Sequence, residues 1–95
     1  KISAYGASAT STTLMYHYNM KFLQSIYDDF KVKQGLYSPG FHIPVFSPGE
    51  IYKQKPDYII ILAWRYKDKI IKRHKNFLKN GGKFIIPLPK FRVIG

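Results

Sequence analysis

The feature that most constrains the fold of this chain is an uninterrupted apolar run at residues 58–63, which contains three consecutive isoleucines. A strand with one face in water alternates apolar and polar residues, whereas a strand that is covered on both faces does not need to alternate. Consecutive β-branched residues also fit a strand well. The run therefore predicts a strand inside a parallel sheet that has helices over both of its faces.

Strand-like and helix-like segments alternate along the rest of the chain. Short apolar stretches predict further strands at residues 2–6, 22–27, 42–46 and 83–87. Helical spacing and helix-start signals predict helices near residues 14–19, at 48–54 and at 66–80. Alternation of this kind is typical of parallel strands joined by crossover helices. We therefore expect an α/β fold, a small Rossmann-like three-layer domain with a mostly parallel sheet of four to five strands.

The length of the chain allows one domain, residues 1–95, with a single core. Because the first residue is not methionine and a strand begins there at once, we expect a domain excised from a longer chain. The absence of cysteine excludes disulfides and thiolate metal sites. No apolar run approaches the ~20 residues that cross a bilayer. We expect a cytoplasmic location and no membrane partner.

The charge is strongly positive, because 16 Lys and Arg face 5 Asp and Glu and give a net charge of +11. Such a chain attracts polyanions, so a basic nucleic-acid-binding module and a protein-interaction module of Rossmann-like fold are the alternatives to an enzyme domain. Four lysines form a stripe on the last predicted helix: Lys69, Lys72, Lys75 and Lys79. Binding of nucleic acid bases by stacking would require aromatic residues on that face, and it has none. We therefore expect a solvated face and no binding of nucleic acid.

Ligands of open parallel sheets bind beyond the carboxyl ends of the strands, where the strand order reverses. Four predicted loops lie there: residues 6–13, 28–39, 64–67 and 87–91. In the first loop, Gly6 permits a tight turn and the following helix offers free N–H groups to an anion. A turn built from small residues for structural reasons alone explains this loop equally well, because the full G-x-G-x-x-G pattern is absent.

Asp28 follows Gly6 at the distance expected for an acid that binds a ribose hydroxyl, and Asp29 stands beside it. A strand-end cap explains the same pair equally well. The three histidines lack metal-ligand spacing, so no metal site is expected, and His42 in its proline-rich loop has the character of a hydrogen-bonded anchor rather than a base. No catalytic set can be assigned from the residues.

Several sequence blocks together resemble one known family. They are Tyr5-Gly6-Ala7-Ser8-Ala9, the block KQGLYSPGFHIPV at residues 33–45, Pro56-Asp57-Tyr58, Leu62-Ala63-Trp64, and GKFIIPLP at residues 82–89. In this order they resemble the C-terminal domain of the S-adenosylmethionine-dependent sugar C-methyltransferases, which methylate deoxysugars carried on a nucleotide diphosphate. The resemblance extends over almost the whole chain.

The resemblance implies a Rossmann-like domain that faces the nucleotide-sugar substrate and is catalytically incomplete alone. It implies that this domain binds no cofactor itself. S-adenosylmethionine is expected in a separate domain of the same parent chain, and that domain is the expected partner. The residues expected to face the substrate are Gly6, Ala7, Ser8, Thr10, Asp28, Lys33, His42, Trp64 and Arg65. The family usually has Lys-Gly-Asn at residues 10–12 and Asn at the position that Arg65 occupies. Either Arg65 therefore replaces the lysine that residues 10–12 lack, or the substrate differs.

Overall fold

A computed structural model describes the backbone of all 95 residues and the side chains of all except Ala9 and Thr10. The strands are β1 (Ile2–Tyr5), β2 (Ile26–Tyr27), β3 (Val45–Phe46), β4 (Tyr58–Ile61), β5 (Lys83–Ile86) and β6 (Arg92–Ile94). The α-helices are α1 (Ala9–His17), α2 (Ile51–Gln54), α3 (Lys67–Arg73) and α4 (Lys75–Lys79). Short 3₁₀ turns occupy Lys31–Lys33, Pro48–Glu50 and Trp64–Tyr66.

The six described strands form one sheet in the order β3-β2-β1-β4-β5-β6. Strands β1 to β5 are parallel, and β6 pairs with β5 in the antiparallel sense. The chain runs outward from β1 through β2 to β3 and then returns to β4 on the other side of β1, so the strand order reverses between β1 and β4. The predicted α/β class and mostly parallel sheet are confirmed.

The sheet has a core on each face because neighbouring residues of each strand point in opposite directions. Ala4 and Ile60 pack with Met15 of α1 on one face. Tyr5, Ile59 and Ile61 pack on the other face, together with Ile51, Ile70 and Phe77 of α2, α3 and α4. The isoleucine run of β4 therefore contributes to both cores, and the three-layer arrangement that the run predicts is confirmed.

The last predicted helix, residues 66–80, is broken at His74, where the backbone leaves the helical region with φ −113° and ψ 40°. The His74 side chain is buried and hydrogen-bonded to Tyr5 and Tyr52, so it turns inward at a point where the sequence predicts continued helix. The described sheet has six strands, one or two more than the four to five predicted. Strand β6 escaped prediction because it is mostly exposed and lacks an apolar run.

Two predicted strands are shorter in the structure. The strand predicted at residues 42–46 retains only Val45–Phe46, because His42 has a positive φ of 55° and Pro44 has no N–H to donate. The strand predicted at residues 22–27 retains only Ile26–Tyr27. None of the helices in the described residues is long and apolar enough to cross a membrane.

Candidate functional site

A cavity of about 480 Å³ opens at the carboxyl ends of β1, β2 and β4, beside the point where the strand order reverses. Residues 5–8, 28–30 and 62–66 line it, together with Lys33 and the side of α3 that carries Lys69, Ile70 and Arg73. Its volume lies within the ~300–1,000 Å³ range of small-molecule sites. The cavity is therefore in the position and of the size that a ligand of an open parallel sheet requires.

The β1–α1 loop begins at Gly6, whose φ of +106° suits glycine. A Cβ at this position would lie 2.8 Å from the Cβ of Ala63, because the ends of β1 and β4 touch here. The Ala63 N–H donates to the carbonyl of Tyr5 over 3.1 Å at the same contact. Gly6 is thus required by the packing of the two strands, and the loop shape that borders the cavity follows from that packing.

Ser8 caps the helix that follows the loop. Its Oγ accepts a hydrogen bond from the Ser11 N–H over 3.2 Å, which satisfies one of the free donors at the start of α1. The Ser8 side chain is therefore engaged with the helix, although the residue borders the cavity. The predicted site residue Thr10 lies outside the described side chains.

Asp28 connects the loops after β1 and β2. Its Oδ2 accepts from the Ala7 N–H and its Oδ1 from the Phe30 N–H, each over 2.8 Å, and the residue is buried. Both carboxylate oxygens are thus used by backbone donors. Of the two alternatives that the sequence left open, this geometry favours the strand-end cap for Asp28.

Lys33 reaches the cavity from the 3₁₀ turn at Lys31–Lys33. Its Nζ donates to the carbonyl of Ala7 over 3.0 Å, so the ammonium group lies beside the β1–α1 loop. A lysine held by one hydrogen bond keeps two further N–H donors for an anion. This placement brings the predicted lysine and the predicted loop together at the cavity.

Trp64 and Arg65 form the opposite wall. The Arg65 guanidinium carbon lies 5.4 Å from the centre of the Trp64 ring, which is cation–π geometry. The Trp64 side chain is half-buried and Arg65 is exposed, so the ring and the charge both remain accessible at the cavity. This wall offers an aromatic surface next to a cation.

The cavity lining is positively charged, with four cationic side chains (Lys33, Arg65, Lys69 and Arg73) and two carboxylates (Asp28 and Asp29). Arg73 pairs with Asp29 over 2.9 Å. The sequence placed Lys69 on a solvated helical face, but α3 turns it toward the cavity. Lys72, Lys75 and Lys79 do not belong to the cavity lining, and the break at His74 divides the predicted stripe between two helices.

A hydrogen-bonded cluster stands beside the cavity and was missed by sequence reasoning. The Tyr5 hydroxyl donates to Asp29 Oδ1 over 2.9 Å and lies 3.3 Å from His74 Nε2, and the Tyr52 hydroxyl lies 2.9 Å from His74 Nδ1. Burial, reinforced by the hydrogen bond to Asp29, raises the pKa of Tyr5, and burial lowers the pKa of His74. These residues are far apart in the chain, so no sequence motif could reveal the cluster.

His42 does not line this cavity. It is exposed in the turn after Pro39, where its N–H donates to the Ser38 carbonyl over 3.1 Å. The substrate-side position that the resemblance implies for His42 therefore stays a prediction, outside the lining of this cavity. Among the described residues, no three His, Cys, Asp or Glu side chains are grouped to hold a metal ion.

The strand order and the place of the cavity define the class of this protein. A parallel sheet with helices on both faces and a cavity at the reversal between β1 and β4 makes a Rossmann-like α/β domain. Among solved structures, the chain resembles UDP-D-quinovosamine 4-dehydrogenase from Vibrio fischeri with a TM-score of 0.68 and 14% sequence identity, over 99% of this chain and 92% of that chain. This likeness shows the fold alone.

Sequence comparison narrows the class to a family. Residues 1–89 match the family described as the C-methyltransferase C-terminal domain. The chain is 39% identical over 98 residues to the C-methyltransferase NovU of Streptomyces niveus, which covers 98% of this chain and 23% of NovU. The chain therefore belongs to the C-methyltransferase C-terminal domain family, as the sequence resemblance predicts. It spans about a quarter of the length of this curated relative.

Proposed function

We propose that this chain is the substrate-side domain of an S-adenosylmethionine-dependent sugar C-methyltransferase, and that its cavity binds the nucleoside diphosphate sugar. The observation that carries the proposal is the cationic cavity at the carboxyl ends of the parallel strands, in a chain of this family. A diphosphate is a compact polyanion, and an excess of lysine and arginine side chains over carboxylates favours it.

The cavity provides different chemistry for the two parts of such a ligand. Lys33 beside the β1–α1 loop and Arg65 on the opposite wall are placed to bind phosphate oxygens. The accessible Trp64 ring suits the face of a base or a sugar. In this arrangement Arg65 takes the part of the lysine that the family usually has in the first loop.

The methyl donor is proposed to bind elsewhere. S-adenosylmethionine carries a sulfonium cation, and a cavity with four cationic side chains repels a cation. The residues present therefore do not fit the methyl donor. We propose that a separate domain of the parent chain supplies the donor and that this domain alone is catalytically incomplete.

Binding of thymidine-diphosphate glucose to the chain tests the proposal, measured by the shift in thermal unfolding and by calorimetric titration. Ligand at ~100 times its Kd adds ~2.7 kcal/mol, which raises the Tm of a domain of this size by roughly 10–20 °C. S-adenosylmethionine alone is expected to give no shift. A shift with duplex DNA alone that fades at high salt would instead support the nucleic-acid-binding alternative.

A matched pair of variants locates the binding site. Lys33→Gln removes the ammonium group at the cavity and is expected to weaken binding about tenfold, as loss of a charged hydrogen bond does. Lys31→Gln removes the same charge from an exposed position in the same 3₁₀ turn, outside the cavity lining. Equal losses in the two variants would mean that net charge, and not the cavity, attracts the ligand.

A further inference from the structure

Asp28 and Asp29 are adjacent in the sequence but have opposite roles in the structure. Asp28 is buried, and backbone N–H groups occupy both of its oxygens. Asp29 lines the cavity with 46% of its side chain exposed. Its Oδ1 accepts from the Tyr5 hydroxyl and forms the ion pair with Arg73, while no described residue donates to its Oδ2. Asp29 therefore has an unused acceptor at the cavity, whereas Asp28 has none.

Asp29 forms an ion pair with Arg73 over 2.9 Å, and the carboxylate of an ion pair can only accept hydrogen bonds. The Tyr5 hydroxyl must then be the donor in its 2.9 Å contact with Asp29. Since this hydroxyl has one proton, its 3.3 Å contact with His74 requires that Nε2 of His74 carries a proton and donates.

The same reasoning fixes the outer half of the chain of hydrogen bonds. His74 is buried, and burial favours the neutral imidazole, which carries one proton. With that proton on Nε2, Nδ1 must accept from the Tyr52 hydroxyl at 2.9 Å. Every donor in the sequence Tyr52, His74, Tyr5 therefore points toward Asp29.

We propose that Oδ2 of Asp29 accepts a hydrogen bond from a hydroxyl group of the bound ligand, and that the directed chain Tyr52–His74–Tyr5 positions this carboxylate. The inference rests on the proposed function, because it names the group that recognises the hydroxyl-bearing part of the nucleotide sugar. A carboxylate in a cavity of cations attracts hydroxyl groups and repels phosphate, so Asp29 fixes which end of the ligand lies near β2. The hydroxyl belongs either to the pentose or to the hexose.

Calorimetric titration with three ligands separates these two sources: thymidine-diphosphate glucose, thymidine diphosphate, and 3′-deoxythymidine diphosphate. For each protein the measured quantity is the ratio of affinities between a ligand with the hydroxyl and one without it. In the wild-type chain we expect about a tenfold preference for the hydroxylated ligand in one pair, since a hydrogen bond to a charged acceptor has about that effect. Asp29→Ala is expected to abolish the preference, and the pair in which it disappears identifies the pentose or the hexose as the source.

The ratio is informative because Asp29→Ala also frees Arg73, which acts on the diphosphate that all three ligands carry. Asp68→Ala is the matched control, since Asp68 lies on α3 outside the cavity lining and its loss is expected to leave both ratios unchanged. Ratios in Asp29→Ala that equal those of the wild type would overturn the assignment. If the wild-type chain binds none of the three ligands, the proposed function fails and this inference fails with it.

Tyr52→Phe tests the positioning chain, because it removes only the outermost donor. We expect the hydroxyl preference to fall about two- to fivefold without loss of fold. Tyr58→Phe is the control, because Tyr58 lies at the end of β4 that is away from the cavity, and it should leave the preference unchanged. Nitrogen NMR of the imidazole gives an independent readout, with a protonated Nε2 and a bare Nδ1 expected for His74. A protonated Nδ1, or an unchanged preference in Tyr52→Phe, would contradict the proposed chain.

Discussion

Replacing Gly6 by alanine tests whether contact between the ends of β1 and β4 builds the floor of the cavity. Gly6 has a φ of +106°, and a Cβ there would lie 2.8 Å from the Ala63 Cβ and 3.0 Å from the Ala63 backbone nitrogen. Real Cβ atoms do not approach so closely, and Ala63 cannot yield easily because its N–H is bonded to the Tyr5 carbonyl. The substitution therefore strains the backbone and separates the two strand ends.

The two effects have separate magnitudes. An L-residue at this positive φ costs about 1–3 kcal/mol, and forcing extra atoms into a packed contact costs about 1–3 kcal/mol. Gly6→Ala should thus lower the free energy of unfolding by about 2–6 kcal/mol. A chain of this length has about 5–14 kcal/mol of stability in total, so the variant should be much less stable than the wild type, and only partly folded at the upper end of the range.

Equilibrium unfolding in urea measures the effect, and Gly35→Ala is the matched control. Gly35 has a φ of +84°, but a Cβ there meets no atom within 4 Å, so this variant carries the backbone strain without the collision. We expect Gly6→Ala to be more destabilising than Gly35→Ala by at least about 1 kcal/mol. Equal losses in the two variants would refute the argument that the strand contact demands glycine.

Two further predictions concern the residues around the cavity. Asp28→Asn should lower the free energy of unfolding by about 1–3 kcal/mol, because an amide NH₂ would face one of the two backbone donors. Asp29→Asn, at the exposed neighbouring position, should lower it by less. Chemical unfolding of both variants measures the two losses, and the reverse order would contradict the role of Asp28. His74 has a pKa below its usual 6.5 in the folded chain, so the unfolded state takes up a proton first as the pH falls, and stability should begin to drop at about pH 7 and go on dropping until His74 is protonated in the folded chain as well. His74→Gln should show a smaller drop over this window, and an identical pH dependence in both proteins would exclude His74 as its source.

The sequence predicts the parts of the fold that depend on burial along continuous segments. The isoleucine run specifies β4 as a strand between two helical layers, and the alternation of elements specifies a parallel sheet. The position of the site follows from the same topology, because loops at the carboxyl ends of parallel strands meet at one edge. Gly6 and Lys33 accordingly border the same cavity although they are far apart in the chain.

The features that escaped prediction depend on contacts between distant residues. Nothing in the helical pattern of residues 66–80 marks His74 as a break. Its two ring nitrogens form hydrogen bonds with the hydroxyls of Tyr5 and Tyr52, which are distant in the sequence. Strand β6 exists because β5 offers an open edge, and its own residues have no strong strand pattern. The resemblance to the family, by contrast, transfers residue positions but not geometry, so the substrate-facing role of His42, which does not line the described cavity, stays a prediction.

The position of β1 has a consequence for how this chain is made. Within this domain, β1 precedes the other strands in the chain but lies in the middle of the sheet, where residues 2–5 pair with residues 26–27 on one side and with residues 58–61 on the other. Closing the longer loop costs entropy before the pairing stabilises it, so this topology folds slowly. Until residue 61 has left the ribosome, one edge of β1 stays unpaired while its apolar side chains have no complete core. During that interval the nascent chain is most exposed to misassociation with other chains, and most in need of a chaperone.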